Sequence, residues 1–176
     1  MACENVILVD KEDTMMGTME KMAAHRSAKL HRAISVFVFN AKGEFLLQQR
    51  ARNKYHSGGK WSNTCCSHPR PGEQNIDAAK RRLREEMALE CELKHAFSFV
   101  YRAELGNGLF EHEYDHVYIG TTDTLPIPNT DEVADFAYVS ADQIERELFQ
   151  KPDAYTAWFK MCFGRVMEHF ITQENE

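Results

Sequence analysis

The chain of 176 residues carries 21 Lys and Arg against 27 Asp and Glu, a net charge of −6, with 43% apolar and 27% charged residues. This is the size and balance of one globular domain, residues 1–176, with a sizeable core; it excludes wholesale disorder and gives no reason to expect a nucleic-acid partner. No apolar run approaches the ~20 residues that span a bilayer, and Met1-Ala2-Cys3-Glu4-Asn5 lacks the pattern of a secretory signal, so the expectation is a cytoplasmic protein with no membrane partner and five reduced cysteines.

Val6-Ile7-Leu8-Val9-Asp10 reads as a short buried strand, and a polar turn follows that Gly17 ends. Met19 to Ala24 is weakly helical and leads into His25 and His31. Ala33 to Phe39 is β-branched and aromatic, as a central strand requires. Asn40-Ala41-Lys42-Gly43 is a turn and Glu44 to Arg50 its return strand, a hairpin. Residues 51–60 form a basic, glycine-containing loop. Ile76, Ala79, Leu83 and Met87 recur at helical spacing and predict an amphipathic helix over 75–88.

Ala96 to Tyr101 reads as a strand, and Gly106-Asn107-Gly108 as a turn. Over 109–120, alternation sets Glu111, Glu113 and Asp115 on one face and His112, Tyr114 and His116 on the other. A row of carboxylates must face solvent or a cation. Phe136 to Val139 is a strand, and Ser140 with Gln143 caps a helix running to about Phe149. Pro152 and Asp153 precede a last helix with an apolar stripe of Phe159, Cys162, Phe163, Val166 and Phe170. The irregular alternation of elements predicts a mixed β-sheet with helices packed on its faces, an α/β (α+β) fold.

Four groups of side chains are candidates for chemistry. Cys66 stands two residues from His68, and a thiolate there needs the lowered pKa that His68 or nearby arginines would supply; Cys65 reads as a small core hydrophobe. His25, His31 and His68 with Glu111 and Glu113 offer three nitrogens and two oxygens, a set that suits an octahedral divalent cation with one open position better than structural zinc. His56, His95, His112, His116 and His169 read as ordinary surface or core residues. Glu85 and Glu86, with Glu73 before them, are either ligands for Mg²⁺ on a phosphate or partners of Arg81 and Arg82 on a solvated helix face. Lys21, Arg50, Arg52, Lys54, Lys60 and Arg82 form a basic group able to grip phosphate.

Glu73-x7-Arg81-Arg82-Leu83-Arg84-Glu85-Glu86-Met87-Ala88-Leu89 resembles a degraded Nudix box, with Ser67, Arg82 and Ala88 where the full pattern has Gly, Glu and Gly. Trp61-Ser62-Asn63-Thr64-Cys65-Cys66-Ser67-His68-Pro69, followed by Glu111-His112-Glu113, is more specific, and with these motifs nearly the whole chain resembles the type 1 isopentenyl-diphosphate Δ-isomerases, a Nudix-fold family. The resemblance implies interconversion of isopentenyl and dimethylallyl diphosphate, a small-molecule substrate, by antarafacial protonation and deprotonation through a tertiary carbocation. It implies Cys66 and Glu113 as the catalytic pair with Tyr101 beside the Glu. It also implies His25, His31, His68, Glu111 and Glu113 as metal ligands, and Glu86 as the residue of a second Mg²⁺ on the diphosphate. Lys21, Arg50, Lys54 and Arg82 match diphosphate-binding positions, and Trp158 an aromatic lining the pocket. The metal expected in the histidine site is Mn²⁺ or Mg²⁺, with Zn²⁺ as the alternative: imidazole suits Mn²⁺, Zn²⁺ or Fe²⁺ better than Mg²⁺, while the diphosphate suits Mg²⁺; a monomer is expected. Against this stand a Nudix hydrolase of another diphosphate, which the degraded box disfavours, and a non-catalytic binding module, which would have lost one of Cys66, Glu113 or the histidines.

Overall fold

The computed structural model describes residues 4–174, so Met1-Ala2-Cys3, on which part of the signal and cysteine reading rests, lies outside the described residues. The other four cysteines are free thiols. Among the described residues no helix is long and apolar enough to cross a membrane.

The chain opens with an antiparallel hairpin of β1 (Asn5–Val9) and β2 (Met15–Glu20). The polar turn is shorter than predicted. Asp10 Oδ1 accepts from the N–H groups of Glu12 and Thr14 and closes the reversal, which leaves Gly17 inside β2 opposite Leu8. The short helix α1 (Lys21–Arg26) follows, with the Glu20 carboxylate accepting from Met22 and Ala23 N–H, and it carries the fully buried His25.

β3 (His31–Phe39) is the central strand, and its apolar run is buried on both faces. The turn after it forms as expected: Asn40 Oδ1 accepts from Lys42 and Glu44 N–H, and Gly43 takes a φ of 72°. The hairpin itself does not continue. β3 and β4 (Phe45–Arg50) pair at Phe39–Phe45 and then part. Between them enters the segment that holds β5 (Trp61–Ser62) and β6 (Cys65–Ser67), with β5 paired to β4 and β6 to β3.

At the joint of those two short strands, side chains replace the backbone ladder. Thr64 Oγ1 accepts from Val38 N–H (2.9 Å) and donates to Leu46 C=O (2.7 Å). Asn63 Nδ2 donates to the carbonyls of Val36 (3.1 Å) and Cys65 (2.8 Å). Both residues are fully buried, so these bonds satisfy backbone groups that water cannot reach.

Helix α2 (Asn75–Met87) lays Ala78, Ala79, Leu83 and Met87 on Ile34, Val36, Val38 and Leu46. It ends at Ala88 in a left-handed conformation (φ 52°), the geometry that the motif's glycine adopts without steric cost. β7 (Leu93–Gly106) is longer than the predicted 96–101 strand and forms a hairpin with β8 (Leu109–Thr121) through the Gly106-Asn107-Gly108 turn. β8 runs parallel to β3 from Glu113 beside His31 to Thr121 beside Phe39. β9 (Val133–Val139) pairs antiparallel with β4.

Ser140 Oγ caps α3 (Ala141–Gln150) as predicted, although the Gln143 side chain bonds Glu147 instead of closing the box. A single 3₁₀ turn, Pro152–Ala154, leads to α4 (Ala157–Glu174). Phe159, Cys162, Phe163 and Val166 pack with Phe37, Phe39, Phe45 and Leu47 on the sheet face opposite α2, and Phe170 stacks on Phe39 at 3.9 Å between centroids. Among the described residues the result is a mixed sheet with four helices, the expected α+β architecture.

Thr64→Val keeps the shape of the side chain but leaves Val38 N–H and Leu46 C=O without partners. It is expected to destabilise the protein by about 2–4 kcal/mol, since each buried orphan costs about 1–3 kcal/mol. A Tm lowered by less than ~4 °C in calorimetry would contradict this role for the hydroxyl.

Candidate active site

The site is one face of the sheet at the start of β3. His31, Ala33 and Ser35 alternate onto that face. The strands on either side complete it: β8 sets Glu113 beside His31 and Asp115 beside Ala33, and β6 sets Cys66 beside Ser35. From β7, Tyr101 lies opposite Glu113. The carboxylate row Glu111, Glu113 and Asp115 therefore turns inward, and all three are buried. The other face of β8 is spent structurally, with His112 donating to Ala28 C=O and His116 paired with Asp13.

His25, His31 and His68 converge so that one ring nitrogen of each lies within 4.8 Å of those of the others. His25 Nδ1–H donates to Phe110 C=O (2.9 Å) and His31 Nδ1–H to Lys29 C=O (2.8 Å), which fixes both rings and leaves their Nε2 atoms buried without a partner. His68 Nε2–H donates to Glu113 Oε1 (2.9 Å), and its Nδ1 is likewise buried and unpartnered. Three buried imidazoles that converge, each with an unpartnered ring nitrogen, are an arrangement that suits a divalent cation. Glu113 Oε1 adjoins the group, 3.5 Å from His31 Nε2. Glu111 faces Tyr101 and His56. Burial pushes the His25, His56 and His68 imidazoles down, His68 to about 4 and His56 to about 3, so these rings are neutral, as metal ligands must be.

The Tyr101 hydroxyl lies 2.8 Å from Glu111 Oε2 and 2.6 Å from Glu113 Oε2. It holds one proton and serves one carboxylate at a time. Burial and the neighbouring Glu113 charge raise Glu111 well above the carboxylate range. Burial raises Glu113 too, but the adjoining His31 and the hydrogen bond from His68 outweigh it and hold that group well below its usual range. Glu113 is thus the ionised member of the pair.

Cys66 corrects the expected activated thiolate. Burial, with the nearby Asp115 and Glu86 charges, drives its thiol up, and the group stays protonated. Its Sγ–H donates to Asn63 Oδ1 (3.0 Å), and Trp158 Nε1–H donates to Sγ (2.9 Å). His68 serves Glu113 and makes no bond to the thiol. Cys65 packs in the α2-side core, as read from sequence.

The site lies in a cleft of about 750 Å³, counting its open mouth. Lys21, Arg50, Lys54 and Arg82 line it, whereas Arg52 and Lys60 do not. Among the helix carboxylates only Glu86 lines it, bonded to Gln48 Nε2 (2.8 Å) and Arg82 Nη2 (2.6 Å). Glu73 and Glu85 take the structural alternative with Arg81. Trp158 lines the cleft, and the Arg50 guanidinium lies over its ring at 5.3 Å. Sequence reading passed over Asn63, which holds the thiol, and over His56, which is buried with Nε2 3.4 Å from Glu111 Oε1. The one local signal for His56 was its place two residues after Lys54.

Two measurements test this electrostatic picture. Neutral buried histidines mean that the unfolded chain takes up protons first, so stability is full above about pH 6.5 and falls as the pH drops from there toward 4; Tm against pH reads this directly. Adding Mn²⁺ or Zn²⁺ to chelator-treated protein should raise stability, by about 2.7 kcal/mol at 100 times Kd, and His31→Ala should remove the shift.

A family model for the NUDIX domain matches residues 29–159. The chain is 53% identical over 164 residues to isopentenyl-diphosphate Delta-isomerase 2 of Aromatoleum aromaticum, covering 93% of this chain and 87% of that protein. It is 50% identical over 176 residues to isopentenyl-diphosphate Delta-isomerase of Pectobacterium atrosepticum, covering 100% and 98%. Among solved structures, a Deinococcus radiodurans protein superposes with a TM-score of 0.71 at 18% identity over 84% of this chain and 90% of its own. The MutT protein of Methanosarcina mazei superposes at 0.64 with 21% identity, over 84% and 96%. The last two likenesses show the fold, and the first two, with the NUDIX match, show that the chain belongs to the isopentenyl-diphosphate Δ-isomerase family, built on the Nudix fold.

Proposed function

We propose that this protein interconverts isopentenyl and dimethylallyl diphosphate, with Cys66 and Glu113 as its acid–base pair. The observation that carries this reading is geometric: a thiol from β6 and a carboxylate from β8, on strands that flank β3, line one cleft. Burial drives the thiol up, and the neighbouring histidines hold the carboxylate down, so the resting pair is a neutral thiol and an ionised carboxylate. Moving a double bond by one carbon needs a proton given at one carbon and another taken nearby. From this resting state Cys66 gives and Glu113 takes; the reverse reaction exchanges the roles.

Trp158 Nε1–H, bonded to Sγ, stabilises the sulfur when its proton leaves, and Asn63 Oδ1 aims the S–H. Tyr101 donates to Glu113 and fixes its second oxygen. The buried walls keep water from the tertiary carbocation, which would otherwise become an alcohol. The ring of Trp158 adds cation–π attraction of about 0.5–2 kcal/mol. His25, His31 and His68 with the adjoining Glu113 would hold a divalent cation, Mn²⁺ or Mg²⁺ with Zn²⁺ as the alternative, and Glu111, which faces Tyr101 and His56, would join them by turning from those partners. Bound there, it supplies the positive charge that keeps the Glu113 carboxylate fixed and ionised. Lys21, Arg50, Lys54 and Arg82 take the diphosphate, and Glu86 is the carboxylate for the Mg²⁺ that accompanies it. Arg82 in place of the motif's acid suits a helix that grips a diphosphate instead of cleaving it. The proposed site needs no group from a second subunit, and the proposal is a monomer that works in the cytoplasm.

With metal-loaded protein in D₂O, isopentenyl diphosphate should yield dimethylallyl diphosphate carrying deuterium, followed by NMR. Cys66→Ser and Glu113→Gln should each lower kcat by about 10²–10⁴. Near-native rates in both variants would overturn the assignment.

A further inference from the structure

Two acidic residues stand among the cations of the cleft without a place in the mechanism, Glu4 on Lys21 and Glu132 between Lys54 and Arg82, and Glu132 touches two of those cations. Glu132 lies just before β9, and its carboxylate forms an ion pair with Lys54 Nζ and sits 3.5 Å from Arg82 Nη2. Its backbone is held from both sides: Ala51 N–H donates to Glu132 C=O (3.0 Å), and Glu132 N–H donates to Asn129 C=O (3.0 Å). Asn129 N–H in turn donates to Glu86 C=O (2.8 Å). The carboxylate is therefore pinned between the loop that carries Lys54 and the helix that carries Arg82. Burial raises its carboxyl, but Lys54 and Arg82 outweigh burial and hold it ionised.

Both terminal nitrogens of Arg82 are already engaged, and its Nε is buried without a partner. Its Nη1 donates to Glu85 (2.8 Å) and its Nη2 to Glu86 (2.6 Å), with Glu132 beside it. An anion that reaches Lys54 Nζ and the Nη atoms of Arg82 competes with the carboxylates now on them. We infer that Glu132 is a stand-in for the diphosphate: substrate binding exchanges its carboxylate for phosphate oxygens on Lys54 and Arg82, and product release is the reverse exchange. The inference rests on the reading that those two cations grip the diphosphate. Its consequence is kinetic. Substrate and product carry the same diphosphate, so a tighter grip would bind both alike and would not lower the barrier between them. Glu132 weakens that uniform grip and makes release easier.

The test is Glu132→Gln in the full, metal-loaded chain, titrated with inorganic pyrophosphate and Mg²⁺ in a calorimeter. The stand-in predicts binding about 5- to 10-fold tighter than wild type, the scale of a part-exposed ion pair. It also predicts a KM for isopentenyl diphosphate lowered by a similar factor, with kcat not raised. Glu132→Ala, which cannot hydrogen-bond Lys54, must move the same way. Weaker or unchanged pyrophosphate binding in both variants, with Tm preserved, overturns the inference and makes Glu132 a scaffold for the two cations. Lys54→Ala separates the two readings. If it weakens pyrophosphate binding while the Glu132 variants do not tighten it, the stand-in alone falls. If it binds as wild type does, the diphosphate grip fails and the stand-in with it.

Discussion

The structure depends on how two buried polar side chains hold β3 and β4 apart. Strands that continue a tight turn normally zip together, and here they separate after one pair. Separation strands backbone groups on both, and each buried orphan would cost about 1–3 kcal/mol. Thr64 and Asn63 take those bonds, reaching Val38 and Leu46 from one side chain and Val36 from the other. With that gap held, β6 lies along β3 and delivers Cys66 beside Ser35, while Cys65 turns to the α2-side core. The same Asn63 carries the acceptor for the Cys66 proton, so the support of the fold and the aim of the thiol share one residue.

The site collects what a stable core avoids. Three imidazoles and three carboxylates are buried on one sheet face, where unpaired polar groups are expensive. Part of that cost is offset locally, by Tyr101 shared between Glu111 and Glu113, by the carbonyls that orient His25 and His31, and by Ser35 donating to Asp115. The remainder is visible as orphaned nitrogens on all three histidines and an orphaned oxygen on Asp115. Local rules of sequence design fail at such places because binding, not folding, satisfies the groups.

The helix bearing the degraded motif shows how departures are absorbed. Glu73 and Glu85 have been drawn into pairs with Arg81, leaving Glu86 as the one helix acid in the cleft. Arg82 stands among Glu85, Glu86 and Glu132 instead of adding a further negative charge. Ala88 still adopts the left-handed backbone that the motif's glycine serves, at some steric cost.

By itself the sequence determined the elements whose signals are local. The 3.6-residue spacing of Ile76, Ala79, Leu83 and Met87 specified α2, the Gly106-Asn107-Gly108 turn set the β7–β8 hairpin, and alternation put Glu111, Glu113 and Asp115 on one face. Its motifs identified the family. Tertiary structure decided what depends on neighbours distant in the chain. That β3 and β4 part, that β2 is a strand through Gly17, and that Arg82 is held by Glu132 follow from long-range pairing, which period and propensity do not encode. His56 and Asn63 enter the site the same way, each through one contact across the fold. The protonation of Cys66 is also a tertiary property. A thiol two residues from an imidazole suggests activation, yet in the fold that imidazole bonds Glu113, and burial keeps the sulfur neutral.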